Sequence, residues 1–312
     1  MATTQADLIA RLRCPITGQP LTRRDDALVT PDGAHRYRVT ASGIPLFVEA
    51  GFSEEGLIQQ RHYDRIAGAY LTNLHEPHTQ EYMAYLDRSF LALVPQTMST
   101  LLEICCGAGE AFALLSDRST SGIGIDVSSV MLEAARKHHP EERQLFVQGD
   151  ATRLPLADAS IDTVVLLGGI HHVNDRARLF SEINRVLSPG GSLCWREPVD
   201  DFFLWRWLRA IVYRLSPTLD ADTEHPIRKQ PTFESLKDAG MVVEQWRTFG
   251  FLGYCFLMNS DVLAFARAWR YLPGVRAFTR AMTRIDAATL RLPGLADAGL
   301  IAVGVARKPL AR

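Results

Sequence analysis

The feature that most constrains this chain is a regular alternation between residue 100 and about residue 198. The apolar runs "TLLEICC", "GIGIDV", "QLFVQGD", "SIDTVVLLGG" and "GGSLCWREP" are separated by amphipathic stretches such as "SSVMLEAARKHH" and "RARLFSEINRVL". Near-continuous apolar strands joined by helices call for a sheet covered on both faces. The pattern therefore predicts an α/β, Rossmann-like, mostly parallel sheet with helices on each side. A Ser cap at Ser128 or Ser129 opens the helix after the second strand. Further on, "TFESLKDAG" reads as a helix with a Gly stop. "MVVEQWRTFG" and "GLIAVGVARKP" complete seven strands.

The first strand runs into "CCGAGEAF". A dinucleotide fingerprint needs a third glycine where Phe112 stands, and a P-loop needs a Gly-Lys-Ser or Gly-Lys-Thr that is missing. The surrounding acids narrow the choice. Glu103 precedes the turn, Asp126 ends the second strand and Asp150 ends the third, all at the carboxyl edge where open parallel sheets bind ligands. Three acids and a glycine turn suit a ligand with a ribose, an adenine amine and positive charge.

At these residues the sequence resembles the class I S-adenosylmethionine-dependent methyltransferases. "LLEICCGAG" looks like their first motif, with Cys105 in place of the usual first glycine. "GIDVSSVML" resembles the ribose segment, "GDATRLPLADASIDTVV" the adenine segment, and "INRVLSPGGSL" the turn before strand five. "GGIHHV" and "YDRIAGAY" bring it nearest to the group that includes the ubiquinone and menaquinone C-methyltransferases. The resemblance implies S-adenosyl-L-methionine as cofactor, with Gly107 and Gly109 approaching its methionine portion and Glu103 orienting its ammonium group. It further implies Asp126 on the ribose, Val127 and Met131 flanking the adenine, and Asp150 with Ala151 at its edge. Tyr63 and Tyr70 would lie on a helix closing over the cofactor, with plain core packing as their alternative role. His171 and His172 follow strand four at the rim, where either could serve as a base or simply line the pocket.

Residues 1–50 read as a small separate β-rich unit ahead of a domain spanning 51–312. "LRCPITGQPL" and "LVTPDGAHRYRVTASGIPLFV" together resemble the zinc-ribbon-like activator subunit of tRNA and protein methyltransferases. Of the four ligand slots, Cys14 survives while Thr17, Thr30 and Gly33 occupy the others, so no metal is expected. Insertions at about 199–230 and 251–298 are rich in aromatics and arginine. The first carries Phe202, Phe203, Trp205, Leu208, Ile211 and Val212 with Arg206, Arg209 and Arg214. In the second, Val275, Phe278, Met282 and Ile285 recur at helical steps beside Arg276, Arg280 and Arg284. Such helices either pack over the sheet as a lid or lie on a membrane surface.

A formal net charge of −1 argues against a general nucleic-acid binder. Five cysteines with no C-x-x-C pair suit a reducing compartment. With no apolar leader and no long apolar run, a cytoplasmic location is expected, peripheral to a membrane if the basic helices touch one. The expected activity is methyl transfer to a hydrophobic small molecule such as a lipid, quinone, isoprenoid or polyketide. An RNA or protein methyltransferase, or a binder of the cofactor without turnover, are the alternatives. "LGGIHH" stands where amino-group methylators often carry an Asn/Asp-Pro-Pro-Tyr motif. Nothing in the pattern fixes the oligomeric state.

Overall fold

The computed structural model describes residues 4–48, 51–73, 76–215, 225–258 and 264–310, with side chains described outside 66–73, 210–215 and 264–267. The side chains of Tyr70, Ile211, Val212 and Arg214 thus lie outside the described residues.

A short helix α1 (Gln5–Ile9) precedes three antiparallel strands, β1 (Thr22–Arg24), β2 (Ala27–Val29) and β3 (Arg36–Arg38). Helices α2 (Glu54–Asn73) and α3 (Pro77–Leu91) lead into the main domain. There follow β4 (Met98–Ile104), α4 (Glu110–Leu114), β5 (Ser119–Asp126), α5 (Ser129–His138), β6 (Gln144–Gln148) and β7 (Ile161–Leu167). Next come α6 (Arg176–Val186), β8 (Leu187–Pro198), α7 (Phe203–Leu215), α8 (Lys229–Asp238) and β9 (Val242–Phe249). Helices α9 (Leu252–Leu257) and α10 (Val275–Thr289) precede the last strand, β10 (Ile301–Arg307).

The seven-stranded sheet has the order β6-β5-β4-β7-β8-β10-β9. Strand β10 is antiparallel to both its neighbours, and the remaining pairs are parallel. The fold predicted from the alternation is the one formed. Chain order reverses direction at β4, which opens a crevice at the carboxyl ends of β4, β5 and β7. Ser128 caps α5, its hydroxyl accepting from the Met131 amide at 3.2 Å.

The front residues do not keep a core to themselves. Leu8, Leu12, Leu28, Tyr37 and Phe47 belong to the same buried cluster as Leu102, Ile123, Leu145 and Ile161 of the sheet. Two clasps hold them there. Arg13 N donates to Pro155 O at 2.9 Å and Ala157 N to Arg11 O at 2.9 Å. Phe47 N donates to Gln148 O at 3.1 Å and Gln148 N to Pro45 O at 2.9 Å, continuing the sheet beyond β6. The Cys14 sulfur lies 3.0 Å from the Tyr37 hydroxyl, while the Thr30 hydroxyl donates to Asp32 at 2.6 Å. Among the described residues, no group of three or more metal-ligating side chains comes together.

Helix α10 turns the apolar line noted in the sequence, Val275, Phe278, Met282 and Ile285, only partly to the interior. The buried line is Val275, Thr279, Thr283 and Asp286, while Phe278 and Ile285 are exposed. Asp286 turns the helix. Its carboxylate accepts from the amides of Phe251, Gly253 and Tyr254, each at 2.9 Å, and from the Tyr82 hydroxyl. Thr279 donates to Val275 O and Thr283 to Arg280 O, so both hydroxyls are satisfied within the helix. One carboxylate thereby fastens α10 to α9 and α3.

Candidate cofactor site

At the crevice predicted by the strand order lies a cleft lined from both the sheet and α2. Its floor comes from strand ends and the turns after them: Ile104, Cys105 and Gly107; Asp126 and Val127; Asp150, Ala151 and Thr152; Gly168, His172 and Val173. Met131 reaches in from α5. The first turns of α2 form the roof, through Ser53, Glu55, Gly56, Gln59 and Tyr63.

The turn after β4 is tightly specified. Cys105 has φ 54° and Gly107 φ 50°, both left-handed. Glycine adopts that conformation freely, whereas Cys105 carries a cost of about 1–2 kcal/mol. A side chain on Gly107 would meet the Met131 methyl at 3.3 Å, narrowing the cleft. The Gly107 amide donates to Asp126 at 2.9 Å, and the Ser128 amide donates to the other Asp126 oxygen at 2.9 Å. Burial pushes the Asp126 carboxyl above its ordinary range, and these amides pull it part of the way back.

Asp150 behaves differently at the neighbouring strand end. Burial acts to raise it, but Ser53 and Thr152, each donating an amide and a hydroxyl, hold it below its ordinary range. The Ser53 contacts, at 2.8 and 2.7 Å, dock the start of α2 onto the sheet.

Three of the sequence-derived residues stand off the cleft wall. Glu103 is 1% exposed and lies beneath the turn, one oxygen accepting from the Ala111 amide at 2.8 Å to hold the start of α4. Strand alternation puts its side chain opposite the cleft-lining Ile104. Its second oxygen has no partner among the described residues, and burial pushes the carboxyl well up. Gly109 has φ 85° and begins α4, its amide donating to Cys106 O. The ring of His171 is held at Nδ1 by Glu197 at 2.8 Å, behind His172 and 3.9 Å from it centroid to centroid.

Sequence reasoning missed Ser53, Glu55, Gly56, Gln59 and Glu197. Glu197 is fully buried and accepts from the amides of Gly169 at 2.6 Å and Ile170 at 2.8 Å, so it sets the loop bearing both histidines. His172 Nε2 lies 2.7 Å from the Tyr63 hydroxyl, joining the roof to the rim.

Comparisons with known proteins agree with this geometry. A methyltransferase-domain family matches residues 102–195. The chain is 31% identical over 181 residues to a demethylmenaquinone methyltransferase of Beutenbergia cavernae, covering 54% of this chain and 72% of that protein. It is 32% identical over 145 residues to the 27-O-demethylrifamycin SV methyltransferase of Amycolatopsis mediterranei, covering 42% of this chain and 52% of that one. Among solved structures, a chain from a complex of the Haloferax volcanii Trm112 activator with a methyltransferase superposes with a TM-score of 0.54 at 22% identity, covering 81% of this chain and 98% of that one. The [4+2]-cyclase SpnF superposes at 0.57 and 22% identity, covering 83% and 98%. Those two likenesses speak for the fold alone. The chain belongs to the class I S-adenosylmethionine-dependent methyltransferases, and S-adenosyl-L-methionine is its cofactor.

The cleft fits that cofactor. Left-handed turns keep its floor low at Gly107, and two carboxylates stand on adjacent strand ends beneath the α2 roof.

Proposed function

We propose that the chain methylates a hydrophobic small molecule of the lipid, quinone, isoprenoid or polyketide kind. Supporting this reading, the inserted helices pack aromatic side chains against one another, α3 and the sheet. Tyr82 meets Tyr254 at 5.5 Å, Tyr85 meets Phe249 at 6.2 Å, and Trp205 meets Phe251 at 5.0 Å. The methylated quinone and rifamycin precursors named for its relatives support it.

When bound, S-adenosylmethionine supplies an electrophilic methyl group on a sulfonium. Asp126 would hold the ribose hydroxyls, and Gly107 would let the backbone approach the methionine portion. Val127 and Met131 would flank the adenine, with Asp150 and Ala151 at its edge. Docking of α2 through Ser53 brings Tyr63 over the cleft and excludes water. A proton leaving an oxygen or nitrogen acceptor passes to the His172–Tyr63 pair. His171, fixed by Glu197, is a positioning residue that keeps the His172 ring in place. In-line displacement draws most of its rate from such positioning.

The front residues are proposed to be a metal-free descendant of the zinc-ribbon module, with Cys14 in contact with the Tyr37 hydroxyl of β3 at 3.0 Å. Membrane contact is proposed through α7 rather than α10. Phe203 and Trp207 stand outward beside exposed Arg206, whereas Arg276 and Arg280 turn to Glu81 and Gln80 on α3. No helix among the described residues is long and apolar enough to cross a membrane.

Calorimetric titration with S-adenosylmethionine and its demethylated product, followed by a screen of apolar acceptors, tests the reading. Micromolar binding with turnover of an apolar acceptor is expected. Turnover only of RNA or protein substrates would overturn it.

A further inference from the structure

Helix α7 has two faces of opposite character. Phe203 and Trp207 are 67% and 64% exposed, while Trp205, Leu208 and Arg209 share the inner face at three- and four-residue steps. Trp205 is fully accounted for: it is 2% exposed, and its Nε1 donates to Ala298 O at 2.6 Å. Arg209 is not. It is half-buried on the inner face, its Nη1 is shielded from water, and it meets no acceptor among the described residues. The neighbouring inward cation, Arg196, is paired with Asp87. Helix α7 itself carries no acid.

A guanidinium nitrogen shielded from water without an acceptor is costly, and a bound anion would satisfy it. The surroundings are suited to that role. The half-buried rings of Tyr85, Tyr254 and Phe249 pack edge to face with one another and with the fully buried Tyr82 at 5.5 to 6.2 Å, giving an apolar, aromatic flank. Arg209 and Arg196 both act electrostatically on the Tyr254 hydroxyl, opposing part of the rise that its burial causes. The helix follows directly on β8, at the same carboxyl edge of the sheet as the cleft.

We propose that Arg209, with the Tyr254 hydroxyl, binds an oxyanion, carboxylate or phosphate, carried by the otherwise apolar acceptor. This rests on the methyltransferase reading and names the polar end of its substrate. A planar guanidinium presents paired donors to an oxyanion, while the aromatic flank takes the chain attached to it.

The test uses full-length protein saturated with S-adenosylhomocysteine and titrated with dodecanoate, dodecyl phosphate and dodecan-1-ol. At least one anion is expected to bind tenfold or more tightly than the alcohol, and the preferred anion identifies the oxyanion. Arg209→Met should cut that preference below threefold while leaving Tm unchanged or higher, because a shielded charge without an acceptor is removed. Tyr254→Phe should reduce it by a smaller factor. The proposal is overturned by equal binding of all three probes, by a preference that survives Arg209→Met, or by a clear loss of Tm in that variant, which would make the guanidinium structural. Failure of S-adenosylhomocysteine to bind at the outset would instead refute the methyltransferase reading.

Discussion

Replacing Gly56 by alanine sets helix propensity against docking. Within a helix, glycine to alanine ordinarily gains about 1 kcal/mol. Here the new methyl carbon would lie 2.9 Å from Asp150 Oδ2 and 3.1 Å from Ser53 Oγ. Asp150 cannot swing aside cheaply, because Ser53 and Thr152 hold both its oxygens. The first turn of α2 must therefore lift, breaking two hydrogen bonds to a carboxylate worth about 2 kcal/mol each. Subtracting the propensity gain leaves about 3 kcal/mol against the closed roof, or roughly a hundredfold in affinity if the cofactor binds only beneath it. Calorimetry with S-adenosylmethionine should give a Kd ten- to a hundredfold weaker than wild type. A Kd within threefold would refute the idea that Ser53 and Asp150 latch the roof.

Asp126→Asn should weaken cofactor binding more than tenfold by calorimetry. In cofactor-free protein the Asp126 carboxyl, pushed up by burial, favours folding only at pH low enough to protonate it and loses that contribution as pH rises. Asp150, held low, works the other way, and its contribution is lost only as pH falls below the ordinary carboxylate range. Asp286→Asn keeps the shape but turns four charge-assisted bonds into weaker or broken ones, costing about 3 kcal/mol and lowering Tm by roughly 6 °C. Differential scanning fluorimetry would read this, and a fall under 2 °C would count against the α10 anchor. Phe203→Ser combined with Trp207→Ser should cut sedimentation with anionic liposomes at least fivefold; unchanged sedimentation would leave α7 as a lid alone.

Much of the floor was legible because its residues sit where strand periodicity ends. Asp126 and Asp150 close apolar runs, and Gly107 follows one. The roof was not legible: Ser53 lies 97 residues from Asp150, and only docking of α2 joins them. Glu197 resembles any strand-end acid until folding brings it to the amides of Gly169 and Ile170. Glu103 stands off the cleft wall for the opposite reason, since position next to a motif does not say which face of the strand a side chain takes. In α10, the apolar spacing did not reveal the buried stripe, because a single buried carboxylate with four donors outweighs two exposed apolar side chains.

The segment at Pro45–Phe47 has a consequence beyond packing. Strand β6 is the outermost on its side, and an unoccupied outer strand is a template on which copies of a protein pair into insoluble aggregates. By occupying the end of that strand, the front residues act as a guard on solubility. Trimming the chain to its methyltransferase domain would remove that guard and bare the core that the front residues share with the sheet.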